Sequence, residues 1–137
     1  MQYEAPTTVD QAVALLKHSG NASRVLAGGT DLLVQLRSGM IEPELIVDIK
    51  KIAEVRSILK EDGKFRVGAA VTGAELGEHG DLKAAWPGVV EAAELIGSTQ
   101  IQGRASLGGN LCNASPAADA VPALVAAGAV CMIAGPN

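Results

Sequence analysis

Aromatic side chains are nearly absent. Of 137 residues only Tyr3, Phe65 and Trp86 carry large rings, so the core has to be built from Ala, Val, Leu and Ile. A planar ligand would have to rest on aliphatic contacts and backbone hydrogen bonds. Cysteine is equally scarce. Cys112 and Cys131 read as reduced thiols of a cytoplasmic protein, and two thiols alone do not ligate an iron–sulfur cluster or a structural zinc, which take four ligands. There is no basic excess: 11 Lys and Arg stand against 15 Asp and Glu, a net charge of −4, which argues against nucleic acid or an anionic membrane surface as partner. No apolar run reaches membrane-spanning length without a Gly, a Pro or a charge. The opening Met1-Gln2-Tyr3-Glu4-Ala5-Pro6 has neither the basic nor the apolar region of a secretory signal. What is left is a globular chain, 48% hydrophobic, long enough for one cored domain or two small lobes.

Glycine, by contrast, is clustered. Leu26-Ala27-Gly28-Gly29-Thr30-Asp31-Leu32-Leu33 and Ser106-Leu107-Gly108-Gly109-Asn110-Leu111-Cys112-Asn113-Ala114-Ser115-Pro116-Ala117-Ala118-Asp119 each hold adjacent glycines. Such turns, with glycine at positive φ, bring bare N–H groups close to a ligand, and successive N–H dipoles bind phosphate oxygens without a cationic side chain. Two of them in one small chain suit the two phosphates of a dinucleotide such as FAD.

The periodicity around these segments predicts the frame. Apolar residues at Val9, Ala12, Val13, Leu15 and Leu16 have helical spacing, with Thr8 as N-cap and Gly20 as the stop. A buried strand over Arg24–Ala27 ends at the first glycine pair. Thr30 then caps a helix running to Ser38 and closed by Gly39, and Leu45–Ile49 forms the next strand after Pro43. Alternating strands and helices favour a small parallel α/β lobe over residues 1–55. Residues 56–137 form a larger mixed lobe. It opens with a hairpin of Ser57–Lys60 and Phe65–Gly68 around Asp62-Gly63, followed by helices from Thr72 to Leu82 and Gly88 to Ile96. The second glycine turn, a helix from Ala120 to Ala127 and a buried strand over Ala129–Ile133 complete it. Gly135-Pro136-Asn137 is a turn that leads onward, so we expect a piece of a longer protein. The competing expectation is that Val130 pairs with an earlier strand and the domain ends there.

Each glycine segment also has an ordinary explanation. Gly28-Gly29-Thr30-Asp31 is equally a tight turn with a good cap. It lacks the third glycine of a Rossmann fingerprint and the Gly-Lys-Ser/Thr of a P-loop. Around the second pair, Ser106, Asn110, Asn113 and Ser115 supply more short polar groups than a connection between helices needs. Asp119 is suited to ribose or ribityl hydroxyls, or to capping the helix that starts at Ala120. His18 and His79 read as surface residues. No side chain stands out as a general base, a nucleophile or a metal ligand.

The two segments resemble the two FAD-binding signatures of the flavoprotein (medium) subunit of molybdenum hydroxylases, the carbon monoxide dehydrogenase and xanthine dehydrogenase family. Ala27–Leu33 is similar to the first, and Ser106–Asn110 through Pro116–Asp119 to the second. Tyr3–Thr8 and Val47-Asp48-Ile49 also follow the family's style. The resemblance implies an α+β, two-lobed FAD-binding fold of the vanillyl-alcohol oxidase type, here ending before its C-terminal part. It implies that Val25, Leu26, Ala27, Gly28, Gly29, Thr30, Asp31 and Leu32, together with Ser106, Gly108, Gly109 and Asn110, hold the pyrophosphate. Asp119 would contact a sugar or ribityl hydroxyl, and Ile96 would sit near the cofactor. It further implies two partners, a molybdopterin large subunit and a small subunit with 2Fe-2S clusters. Gln102-Gly103-Arg104 departs from the Arg-Asn that relatives commonly carry before the second signature. Two other functions fit the same residues: a self-contained FAD oxidase or reductase, and a non-catalytic interaction module. The segments covering the flavin ring are expected beyond Asn137, so these 137 residues alone are expected to bind FAD weakly and to self-associate.

Overall fold

The computed structural model describes residues 1–136. Strand β1 (Gln2–Glu4), helix α1 (Val9–Ser19), β2 (Ser23–Leu26), α2 (Leu32–Arg37) and β3 (Leu45–Asp48) form the first unit. The sheet order is β1-β3-β2 with both pairings parallel, and Ile46 of β3 lies between Tyr3 and Arg24. All four residues of the central strand are buried, which is why its first three, Leu45, Ile46 and Val47, run apolar without alternation. Helix α1 begins where Thr8 Oγ1 accepts the N–H of Gln11 at 3.2 Å and stops at Gly20, φ 51. Its Ala12, Leu15 and Leu16 pack with Leu45 and Val47 of β3 and with Ile52 and Val55.

Helix α2 corrects the expectation for 30–38. It starts at Leu32, and Asp31, not Thr30, stands at the N-cap position without a side-chain cap bond. An N-cap side chain reaches back to the helix when its own backbone is extended. Asp31 is already αR, at φ −97 and ψ −50.

Two 3-10 turns, Ile49–Lys51 and Ala53–Arg56, lead into the hairpin of β4 (Ile58–Glu61) and β5 (Lys64–Val67). Both residues of its Asp62-Gly63 turn have positive φ, as a two-residue hairpin loop requires. Then come α3 (Gly73–Glu78), α4 (Gly80–Ala85), α5 (Pro87–Glu94), α6 (Thr99–Gln102), α7 (Leu107–Asn113) and α8 (Ala120–Ala126). The helix expected over 72–82 is thus two. Thr72 and Glu75 close a capping box at the start of α3. The chain bends at His79, whose Nδ1 accepts the N–H of Leu82 at 3.2 Å. His79 is therefore a half-buried cap, not a surface loop residue, and its ring stands edge-on to Phe65. Val71, Leu76, Leu82, Val90, Ala93, Leu107 and Ala120 form the core of this second unit, joined by Ile58, Phe65, Val67, Ile96 and Leu124.

The strand expected at Ala129–Ile133 does not form. After Gly128 (φ 63) the chain leaves the surface in no regular structure, with Val130, Met132 and Ile133 almost fully exposed. A strand needs a neighbour for its ladder bonds, and among the described residues none lies beside it. The turn expected over 135–137 ends on Asn137, outside the described residues.

Main chain meets main chain inside the second unit and, at Gly28, between the two units. The segment leaving β5 runs beside the segment entering α7: Gly73 N–H donates to Ala105 O at 2.9 Å, and Thr72 bridges Ser106. A Cβ on Gly108 would lie 2.7 Å from Ala69 O, and one on Gly28 only 2.0 Å from Arg104 O. Neither site can accept a side chain without moving main chain. We expect Gly28→Ala and Gly108→Ala each to lower stability by about 1–3 kcal/mol or more, the scale of an overpacked core. In Gly88→Ala the new methyl meets nothing within 4 Å inside helix α5, so that variant should be neutral or up to about 1 kcal/mol more stable. Urea denaturation of the three variants checks the contrast, and wild-type stability in Gly28→Ala contradicts it.

Candidate functional site

The close contact at Gly28 brings the two glycine segments together, although 80 positions separate Gly28 from Gly108 in sequence. A second tie is a 3.1 Å hydrogen bond from Gln35 Nε2 on α2 to Asn113 Oδ1 on α7. The first segment leaves the carboxyl end of β2 and crosses to α2. Gly29, at φ 80, makes the bend there, and its carbonyl accepts the N–H of Leu33 at 3.1 Å. Among the described residues, the N–H groups of Gly28, Gly29, Thr30 and Asp31 have no protein acceptor. Val25 and Leu26 belong to β2 itself, and Leu26 packs toward Gly29. Leu32 opens α2.

The second segment is not a turn. It is the first turn of α7, so the positive φ expected at Gly109 is absent. Ser106 is extended and 2% exposed, and its Oγ accepts the N–H of Gly109 at 3.0 Å. Such a cap leaves the earliest helix donors free. Gly108 has no acceptor for its N–H group among the described residues, whereas Leu107 flanks the Thr72–Ser106 bridge. The two glycines divide the work. Gly108 faces Ala69, whereas a Cβ on Gly109 would meet only Ser106 Oγ, at 3.0 Å, within 4 Å.

Asn110 also differs from expectation. Its Oδ1 accepts the N–H of Ala120 at 3.2 Å, so Asn110 supplies the α8 cap that sequence reasoning offered to Asp119. Asp119 itself has helical backbone, φ −62 and ψ −36, and makes no side-chain cap bond. Its carboxylate is exposed. Ile96 packs against the second core.

Sequence reasoning missed a polar cluster beside the first segment. Asp48 ends β3 with 6% exposure. Its Oδ1 accepts the backbone N–H of Lys50 at 2.9 Å and its Oδ2 accepts Lys50 Nζ at 2.8 Å. The Tyr3 hydroxyl on β1 donates to the same carboxylate, and Lys50 Nζ also donates to Ala27 O at 3.0 Å. The available signal was an aspartate closing an apolar strand two residues before a lysine. Burial pushes the Asp48 carboxyl up, but the hydrogen bonds from Lys50 and Tyr3 outweigh it and hold it below its usual 3.8. The hydrogen bond to Asp48 raises the Tyr3 phenol above 10.0, assisted by desolvation and by the carboxylate's charge.

A carboxyl whose folded pKa is depressed contributes stability that is present above its unfolded value and lost as pH falls through the folded one. Wild-type protein should therefore lose stability below about pH 4 more steeply than Asp48→Asn, which has no proton to gain. Urea midpoints between pH 3 and 6 measure the difference. Parallel curves for the two proteins contradict the assignment.

The whole chain, residues 1–137, matches the family model described as the FAD binding domain in molybdopterin dehydrogenase. It is 34% identical to the carbon monoxide dehydrogenase medium chain of Hydrogenophaga pseudoflava, over 99% of this chain and 47% of the relative. It is 40% identical to the xanthine dehydrogenase FAD-binding subunit of Escherichia coli O157:H7, over 90% of this chain and 42% of the relative. Among solved structures, reconstituted CO dehydrogenase from Oligotropha carboxidovorans superimposes with a TM-score of 0.84 at 32% identity, covering 88% of this chain and 42% of that one. The α+β architecture is therefore that of the medium subunits of such enzymes. The chain spans less than half the length of these relatives, and no helix among the described residues is long and apolar enough to cross a membrane. With paired glycine segments in place and the match running from end to end, the chain belongs to the family of FAD-binding domains of molybdopterin dehydrogenases.

Proposed function

We propose that this chain holds the pyrophosphate of FAD in the flavoprotein subunit of a molybdenum hydroxylase. Its partners would be a molybdopterin large subunit and a small subunit with 2Fe-2S clusters. The observation that carries the reading is the contact of Gly28 with Arg104–Ala105, which sets the unengaged N–H groups of Gly28–Asp31 and of Gly108 on adjoining segments. Donors of that kind need an acceptor, and phosphate oxygens supply several. When bound, the flavin would supply the redox-active ring that takes up electrons from the partner subunits and passes them to an external acceptor.

The chain's part is binding and positioning. Gly28 and Gly108 let main chain approach main chain, Gly29 makes the bend, and Gly109 keeps a methyl out of the space beside the α7 donors. Thr30, Asp31 and Leu32 carry the first segment into α2, and Ser106 and Asn110 brace the second. Asp119, exposed and not needed as a cap, is free to accept a cofactor hydroxyl. The relatives are named for carbon monoxide and for xanthine, so the matched segment is common to different substrates. Substrate choice lies elsewhere in those assemblies.

Gly109→Val in the protein as its gene encodes it should strip most of the flavin while the fold survives, because a Cβ there meets only Ser106 Oγ within 4 Å. Flavin absorbance per protein after purification measures this, and unchanged occupancy counts against the reading. Asp119→Ala should leave stability within about 0.5 kcal/mol, as for an exposed side chain without partners. Its FAD affinity should fall by roughly 1–3 kcal/mol, the scale of a charged hydrogen bond. Thermal melts and FAD titration on the same sample test the two halves of that statement. An unchanged affinity would remove Asp119 from the site.

A further inference from the structure

We propose that Lys50 is a positioning residue for the cofactor: its ammonium fixes the Ala27–Gly28 peptide so that the Gly28 N–H is presented outward to phosphate. The proposal rests on the FAD reading above and names a residue outside both glycine segments. In a trans peptide the C=O and the N–H point in opposite directions, and the described residues contain no cis bond. Lys50 Nζ holds Ala27 O at 3.0 Å. Whatever fixes that oxygen therefore fixes the Gly28 N–H on the other side of the same plane, and this N–H has no protein acceptor among the described residues.

Such a hold is only as firm as its own anchor. Lys50 carries a flexible four-carbon stem, yet Asp48 grips it at both ends, through the backbone N–H at 2.9 Å and the ammonium at 2.8 Å. Asp48 is braced in turn by the Tyr3 hydroxyl. The carboxyl ends of all three parallel strands are tied into one cluster: β1 through Tyr3, β3 through Asp48, and β2 through Ala27, the residue that follows it. Ligands of parallel sheets gather at that edge. The register places Leu26 opposite Asp48, so the ammonium, two residues beyond Asp48, is within reach of the first peptide after the strand. The role needs a donor that binds a carbonyl and a carboxylate at once, which arginine can replace and methionine cannot.

The test is FAD titration with matched thermal melts on the protein as its gene encodes it, comparing wild type, Lys50→Met, Lys50→Arg and the double variant Asp48→Asn with Lys50→Met. The double variant removes the carboxylate that Lys50→Met alone would strand. Lys50→Met and the double variant should bind FAD about tenfold or more weakly, as expected when one charge-assisted donor is lost. The melting temperature of the double variant should stay near wild type, and Lys50→Arg should recover most of the affinity. Equal FAD affinity in wild type and the double variant overturns the role of Lys50 while leaving the phosphate reading intact. A loss of affinity that follows loss of stability across the series, without recovery in Lys50→Arg, also overturns it. No FAD binding by wild type overturns the phosphate reading itself.

Discussion

The arrangement depends on main chain touching main chain where no side chain can fit. Gly28 lies against Arg104 and Ala105, and Gly108 lies against Ala69. The first contact joins the parallel unit to the helical one, and the second holds α7 against the segment that follows β5. A dense interior transmits a misplaced methyl to its neighbours because it holds few voids to absorb one. Gly28 and Gly108 therefore act as joints.

The chemistry of the surface follows from what surrounds it. The chain has few aromatics to stack on a ring and no arginine or lysine within either glycine segment. Under the proposed reading, the attraction for phosphate comes from peptide dipoles and helix starts. Such donors are useful only if their orientation is fixed. The buried Asp48, held ionised by Lys50 and Tyr3, supplies a fixed point at the sheet edge from which orientation is set. A buried carboxylate is tolerable when its hydrogen bonds are complete, and here both oxygens are engaged.

Much of this was legible in the residues. The helix after Thr8, the buried strand Leu45–Asp48 and the Asp62-Gly63 hairpin were readable because each is decided locally, by a cap, by apolar continuity or by a turn that demands positive φ. The glycine pairs stood out in the sequence because polar turn-formers crowd the second of them, and the structure gives Ser106, Asn110 and Asn113 capping and bracing roles there. Less legible were the Gly108-Gly109 helix start, the break at His79 and the cap that Asn110 gives α8. In each a side chain takes a backbone N–H that the apolar pattern does not mark: Ser106 that of Gly109, His79 that of Leu82 and Asn110 that of Ala120.

The sequence by itself determined the parallel strands, helix α1, the hairpin, the family and the two segments worth watching, since periodicity, capping and motif spacing are properties of the chain in order. Only the tertiary structure decided what each residue in those segments does. It set Gly28 against Arg104, placed Gly109 beside the Ser106 hydroxyl, freed Asp119 from its cap and placed Lys50 on the Ala27 carbonyl. It also left Ala129–Ile133 without a strand to join. These outcomes rest on distances between residues far apart in the chain, and a one-dimensional order carries no record of which backbone atoms will come within 3 Å of one another.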